Sequence, residues 1–518
     1  MSRTETYRRR LAVIGLFTLT AGDLWRYLIT WWGWGVIVGA LLTLVIIELV
    51  RMRVDVRRLP FALIAFLALV LLSVIWSDYR VATLAGVALT FITTTFAVFL
   101  TTAFDLEAFL RAFGVALRWI LGLSLLFEFV VAAFIGHPVL PFWVDYSGLT
   151  KIPAAYYWSR DLLFHGGQIQ GIQGNSNLLA LVALFALIVF AVQWVSRTAS
   201  RVWLGFWGLV ALGTLALTRS STVLLALGAV VLVGLFLLAL RRVSAARRGI
   251  VYGAGLVVVA GIASLAVFAR APILDLLGKS DTLTGRSQIW AKVVALANER
   301  PAAGWGWVSY WAPWVEPFKS LAIIKHVRYL QAHDAWLDIY LQLGIIGLIV
   351  FGLLVLTTLI RSWILALDAG RGRVPLVSIF PLLIVVALVV HSIAESRLLI
   401  EIGFALLVVA SIRSNQREPA PDALAPARQP DRPARGDRRV GAAGPCPGDG
   451  RDRAGSGVLL PPAHPGVGRI PGRRRRRADP DGALVPRSTG RDRLAFAAAD
   501  LAARIPRLVA REPGLERL

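Results

Sequence analysis

Charge is scarce in this chain of 518 residues. Only 17% of them are Asp, Glu, Lys or Arg, against 57% hydrophobic, and the mean hydropathy is +0.67. An ordinary soluble domain is about half apolar and about a quarter charged, so this balance excludes a cytosolic globular enzyme, a disordered chain and a nucleic-acid-binding domain. Cysteine is scarcer still. The single Cys446 excludes a disulfide framework, a thiolate zinc site and an iron–sulfur cluster. No aspartate cluster is set to hold a divalent cation, and no internal repeat of interrupted helices marks a transporter or flippase.

Long apolar runs are what the chain does have. A bilayer core takes roughly 20 apolar residues per helix. Twelve runs qualify: 11–29, 33–50, 60–76, 81–104, 117–135, 177–195, 202–218, 221–240, 250–269, 336–360, 374–393 and 398–412. The first pair is the weakest division, because Asp23 and Arg26 interrupt residues 11–50. Basic residues in the short connections then set the orientation. With the N-terminus inside, one set of loops holds 19 arginines and the opposite set holds six Arg and Lys residues. The expectation is an all-α, multi-pass membrane protein of about 12 transmembrane helices, with both termini cytoplasmic. Residues 1–413 form the membrane domain, with long external loops at 136–176 and 270–335.

The net charge of +24 does not change this reading. Residues 414–518 hold 21 arginines, no lysine and 12 acids, including the run Arg473–Arg477. A segment so rich in Arg, Pro, Gly and Ala cannot bury a core, which predicts a disordered cytoplasmic tail. The same residue types arise when a GC-rich gene is read out of frame, and the tail is assigned no function.

Four polar stretches lie on the predicted external side, where polar groups at membrane depth are expensive and therefore informative. Gln170-Gly171-Ile172-Gln173-Gly174-Asn175-Ser176-Asn177 enters the sixth span, and Asn175 or Asn177 is able to cap it. Thr218-Arg219-Ser220-Ser221-Thr222 separates two spans with almost no loop. Arg219 there either snorkels to the interface or, with the Ser220 hydroxyl and the amides of the next helix, forms an anion site. In the loop 270–335, Arg286 leads an amphipathic segment suited to the bilayer surface, followed by Trp305, Trp307, Tyr310, Trp311, Trp314, Tyr329 and, just beyond, Trp336. These aromatics suit an interfacial belt or flat faces for sugar rings. Last, Asp334, Asp338 and Gln342 share one face of the tenth span, with His333 just before it. Asp334 is a plausible N-cap, and His391 with Glu395 and Arg397 add a further polar cluster.

Together these segments resemble the O-antigen ligase and Wzy-type polysaccharide polymerase superfamily. The marks are Gly174-Asn175-Ser176-Asn177-Leu178-Leu179-Ala180, Thr218-Arg219-Ser220 and Gly285-Arg286 with Trp290. Pro301-Ala302-Ala303-Gly304-Trp305-Gly306 and His333-Asp334 with Leu343-Gly344-Ile345-Ile346-Gly347 complete the set. The chain departs from the family in two places. It has His333-Asp334 where the family usually shows His-Asn. Where the family often carries an arginine it has Gln168 and Gln170, with Arg160 as the nearest cation.

The resemblance implies a membrane glycosyltransferase that takes a glycan from an undecaprenyl-diphosphate carrier. The acceptor would be a lipid-linked glycan or a second carrier-linked glycan, and no metal, nucleotide sugar or other cofactor is required. Arg219 and Arg286 would stabilise the diphosphate, His333 would take the acceptor proton, and Asp334 or Glu395 would hold its ring. Asn175, Asn177, Ser220, Arg160, Asp338 and Trp305 are the remaining substrate-binding candidates. A peptidoglycan-type polymerase, the rival reading, would use Asp275 or Asp281 as base.

Overall fold

Apolar runs become helices throughout the computed structural model, which describes residues 2–54, 59–147, 149, 151–268, 286–324, 327–369 and 374–416. The tail beyond 416 lies outside the described residues, as do Asp275 and Asp281. The helices are α1 (Arg3–Thr20), α2 (Gly22–Met52), α3 (Phe61–Leu72), α4 (Arg80–Ala103), α5 (Leu106–Val130), α6 (Ser176–Ser196) and α7 (Arg201–Thr218). After them come α8 (Ser221–Arg242), α9 (Arg248–Phe268), α10 (Arg286–Ala297), α11 (Phe318–Leu321), α12 (Ala335–Asp368), α13 (Phe380–Ser392) and α14 (Glu401–Asn415). The only strands among the described residues are an antiparallel pair, Ile323–Ile324 with Val327–Arg328. Among the described residues, seven helices are long and apolar enough to cross a membrane by length and composition. The chain is an all-α polytopic membrane protein.

Helices that are apolar on every side belong inside. In α14 every residue from Ile402 to Ile412 is buried, and α6 is buried over most of its length, packed against α5, α7 and α13. The outer helices turn large side chains outward, Leu209 of α7 and Leu225 of α8 among them. Polar side chains then fix where several helices begin. Asp105 caps α5, Asn175 caps α6, Ser220 caps α8 and Asp334 caps α12, each accepting a first-turn amide.

At the division expected between spans 11–29 and 33–50, α2 leaves helical geometry at Ile29 and Thr30, and a further, unexpected break separates α1 from α2 at Ala21. Asp23 and Arg26 are not loop residues. Arg26 pairs with Asp23 at 2.6 Å and with Glu401 at 2.8 Å, while Arg397 pairs with Asp23 at 3.2 Å and also with Glu401. Four charges from two distant segments neutralise one another, so the apolar run tolerates them.

Two more expectations are corrected in the loop 270–335. Trp307 and Trp311 are 0% and 1% exposed, so they are core residues and not an interfacial belt. The indole of Trp307 bonds Thr90 and its amide bonds Ser73, because α3 is only 12 residues long and leaves room for the loop beside it. The apolar face of α10, with Ile289, Val293 and Ala297, is buried in a cluster with Phe318, Ala322 and Leu341. It faces protein and not the bilayer surface.

The same loop meets α12 at a glycine pair. Gly344 adopts φ +65 inside α12 and breaks it, and a Cβ there would sit 2.3 Å from the Ala302 carbonyl oxygen. Gly304 returns the contact, since its Cβ would sit 2.5 Å from Leu343 N. The backbone groups freed at the break are used: Ile345 N–H and Ile346 N–H donate to the carbonyls of Pro301 and Ala302. Residues 335–343 are therefore a short helix pinned to the loop, ahead of the longer stretch 345–368.

Candidate functional site

The polar stretches singled out in the sequence meet at one end of the bundle. Asn175 accepts the amides of Asn177 and Leu178 at 2.9 and 3.3 Å, which starts α6 and leaves the Asn177 side chain for other partners. Its carbonyl oxygen accepts the Ser220 hydroxyl at 2.8 Å, and its NH2 donates to Oε1 of Glu395 at 3.1 Å. Arg286, first residue of α10, donates to that same Oε1 at 2.9 Å. Nδ1 of His333 lies 2.8 Å from the other oxygen, Oε2, and the Gln331 amide donates to Oε2 at 3.3 Å.

Glu395 is thus a buried carboxylate with four donors. Its side chain is 3% exposed, whereas His333 and Arg286 keep 16% and 18% exposure. Burial alone would raise the carboxyl. The attraction of His333, its hydrogen bond and the charge of Arg286 outweigh that and bring it down to about 2. A carboxylate on Nδ1 assigns the ring proton to that nitrogen, so Nε2 is left as the acceptor. The Tyr329 ring stands edge-on to the imidazole at 5.5 Å and limits its rotation.

Asp334, the other residue expected to hold the ring, does not. It accepts the amides of Trp336 and Leu337 at 2.9 and 3.0 Å as the cap of α12. Burial raises its carboxyl, partly opposed by those two amides.

Arg219 terminates α7 in the left-handed region at φ +51. Its side chain is exposed and has no hydrogen-bond or ion-pair partner among the described residues, while the neighbouring Ser220 joins the Glu395 network. An NH2 nitrogen of Arg219 lies 3.9 Å from the point where a side chain at Gly166 would begin. Arg160 reaches the place where the family often has an arginine, donating to the Gln170 side chain at 3.1 Å and the Gln168 carbonyl at 3.2 Å. That loop is held from below by Glu128, which accepts the amides of Gln170 and Gly171 and the Ser159 hydroxyl. The sequence signal for Glu128 was a lone carboxylate inside an apolar span, and its partners could not be read from it.

Two candidates stand apart from this network. Trp305 lies under the Arg300 guanidinium, 4.1 Å from the ring centroid, and its indole donates to the Leu296 carbonyl. It packs beside α10 and stays partly exposed. Asp338 is 1% exposed and bonded only to protein, to Trp311, Ala332 and Ser396, so it is no open substrate ligand. Among the described residues no group of three or more His, Cys, Asp or Glu side chains is arranged to hold a metal ion.

Cations, a histidine and a buried carboxylate thus gather at one end of a helical membrane bundle. Residues 206–352 match the family profile described as O-antigen ligase. The stretch contains Arg219, Ser220, Arg286 and His333; Asn177 and Glu395 come from outside it. The exopolysaccharide production protein ExoQ of Rhizobium meliloti (strain 1021) is 28% identical over 159 residues. That similarity covers 29% of this chain and 36% of the length of the relative.

Proposed function

We propose that this chain is a membrane glycosyltransferase of polysaccharide biosynthesis in the cell envelope. It moves a glycan from an undecaprenyl-diphosphate carrier to a hydroxyl of a lipid-linked or carrier-linked glycan. The reaction takes place on the outer face of the inner membrane, with both termini cytoplasmic. The observation that carries this reading is the His333–Glu395–Arg286 arrangement: one buried carboxylate orients a base and anchors a cation.

The chemistry follows from those groups. The acceptor hydroxyl attacks the anomeric carbon and gives its proton to Nε2 of His333, while Glu395 stabilises the imidazolium that forms. The bond from the anomeric carbon to the diphosphate oxygen breaks, and its electron pair leaves with the diphosphate. Arg219, exposed and without a partner among the described residues, and Arg286, whose guanidinium has donors beyond the one on Glu395, stabilise the negative charge that develops. Arg160 adds positive charge at the neighbouring loop, and Asn177 with Ser220 fixes Glu395 from the side of α6 and α8.

The test is transfer by the purified full-length protein in phospholipid vesicles, using a synthetic undecaprenyl-diphosphate oligosaccharide as donor and a free oligosaccharide as acceptor. Transfer that vanishes in His333→Ala supports the reading, and wild-type transfer in that variant removes it. Surface polysaccharide of a deletion strain then identifies the acceptor. Single repeat units left on the acceptor indicate a lost polymerase; polymer stranded on the carrier lipid indicates a lost ligase.

A further inference from the structure

Asp338 uses both carboxylate oxygens inside the protein. Oδ2 accepts the backbone N–H of Ala332 at 3.1 Å and also the hydroxyl of Ser396, and Oδ1 accepts the Trp311 indole at 2.8 Å. Ala332 immediately precedes His333, and Ser396 immediately follows Glu395. One oxygen thus ties together the two backbone segments that carry the base and its carboxylate. His333 also holds φ +53, a conformation that residues other than glycine keep only when the surroundings impose it.

We propose that Asp338 is the positioning residue that sets the register between His333 and Glu395, through Ala332 on one side and Ser396 on the other. This rests on the glycosyltransferase reading and deepens it. Asp338 touches neither substrate nor the imidazole. It fixes the loop before α12 against the link between α13 and α14, so that the imidazole meets the carboxylate already placed. The groups that face His333 directly are Glu395, Gln331 and the Tyr329 ring, with Arg286 on the far side of Glu395. The Trp290 indole holds the Ala332 carbonyl at 3.0 Å, but it does not reach Ser396, so the tie between the two segments is the one from Asp338.

The test uses the full-length protein in vesicles with the same donor and acceptor, comparing wild type, D338N, E395Q and the double variant. A misplacement of about 1 Å costs about 100-fold in rate, so D338N should lower kcat by about that factor and leave the KM for donor unchanged. Because both residues act through one pair, D338N should add little to the loss in E395Q. Wild-type kcat in D338N, or losses that multiply independently, would overturn the proposal.

Hydrogen exchange supplies a readout free of activity. In D338N the Ala332 amide and residues 395–397 should exchange faster, while the Trp336 and Leu337 amides under Asp334 keep their protection. Unchanged exchange at Ala332 overturns the proposal. Should D338N fail to fold, S396A removes only the tie on the Glu395 side; it should lower kcat with faster exchange confined to residues 395–397, and wild-type kcat there overturns the proposal. Failure of the glycosyltransferase reading looks different: wild type itself would then show no transfer, whatever the exchange shows.

Discussion

Nδ1 of His333 and Oε2 of Glu395 lie 2.8 Å apart across 62 residues of sequence, and the imidazole is the more exposed of the two. That pairing gives a reachable base a buried, fixed counter-charge. His333→Gln should therefore lower glycan transfer by about 100- to 10,000-fold, the range of a lost general base. Membrane insertion and abundance, read by immunoblot of membrane fractions, should not change. Transfer at wild-type rate would take His333 out of the mechanism.

The two arginines should separate by stability. Arg219 is exposed and without a partner among the described residues, so Arg219→Ala should abolish transfer and leave the thermal midpoint in detergent unchanged. Arg286→Ala leaves the buried Glu395 carboxylate short of a cation, so it should lose transfer and also melt earlier. Melting curves of the two purified variants check the contrast; equal midpoints would contradict it.

Glu395 also predicts an acid limit. Its carboxyl is depressed from 4.5 to about 2, so its ion pairs contribute stability that is fully present above pH 4.5. That contribution falls as pH drops from 4.5 towards 2 and is gone below. In Glu395→Gln it is absent at every pH, so the difference in thermal midpoint between wild type and variant should shrink on acidification. A difference that stays constant between pH 6 and pH 3 would contradict the assignment.

Gly344→Ala tests the joint between α12 and the loop. The added methyl meets the Ala302 carbonyl in a positive-φ conformation, which costs of the order of 1–3 kcal/mol before the clash is counted. Either the variant melts several degrees lower or it loses transfer as residues 335–343 shift. Unchanged melting and transfer would show that the joint is not tight.

A chain ending after Gln416 should retain transfer, because α14 is complete at Asn415 and every residue assigned to the site precedes it. Loss of transfer in vesicles would give the basic tail a function.

Local sequence was a good guide where local physics decides. Apolar runs fix the helices because backbone groups in lipid must be satisfied internally. Asn175, Ser220 and Asp334 announce helix starts because their side chains replace missing intrahelical acceptors. The identity of each polar partner was not legible in this way. Asp334 and Glu395 were equal candidates for His333 until packing made one a cap and turned the other towards the ring. Asp23 and Arg26 read as an interruption because Arg397 and Glu401, which neutralise them, lie more than 370 residues away. Trp307 and Trp311 read as surface aromatics because nothing near them in sequence reveals the partners that bury them, Phe66 and Thr90 for Trp307 and Phe318 and Asp338 for Trp311. The sequence by itself determined which segments cross an apolar solvent and where their helices begin, since hydropathy and capping act over a few residues. Only the tertiary structure decided which charges meet, because the burial that makes such a meeting necessary is created by segments brought together from far along the chain.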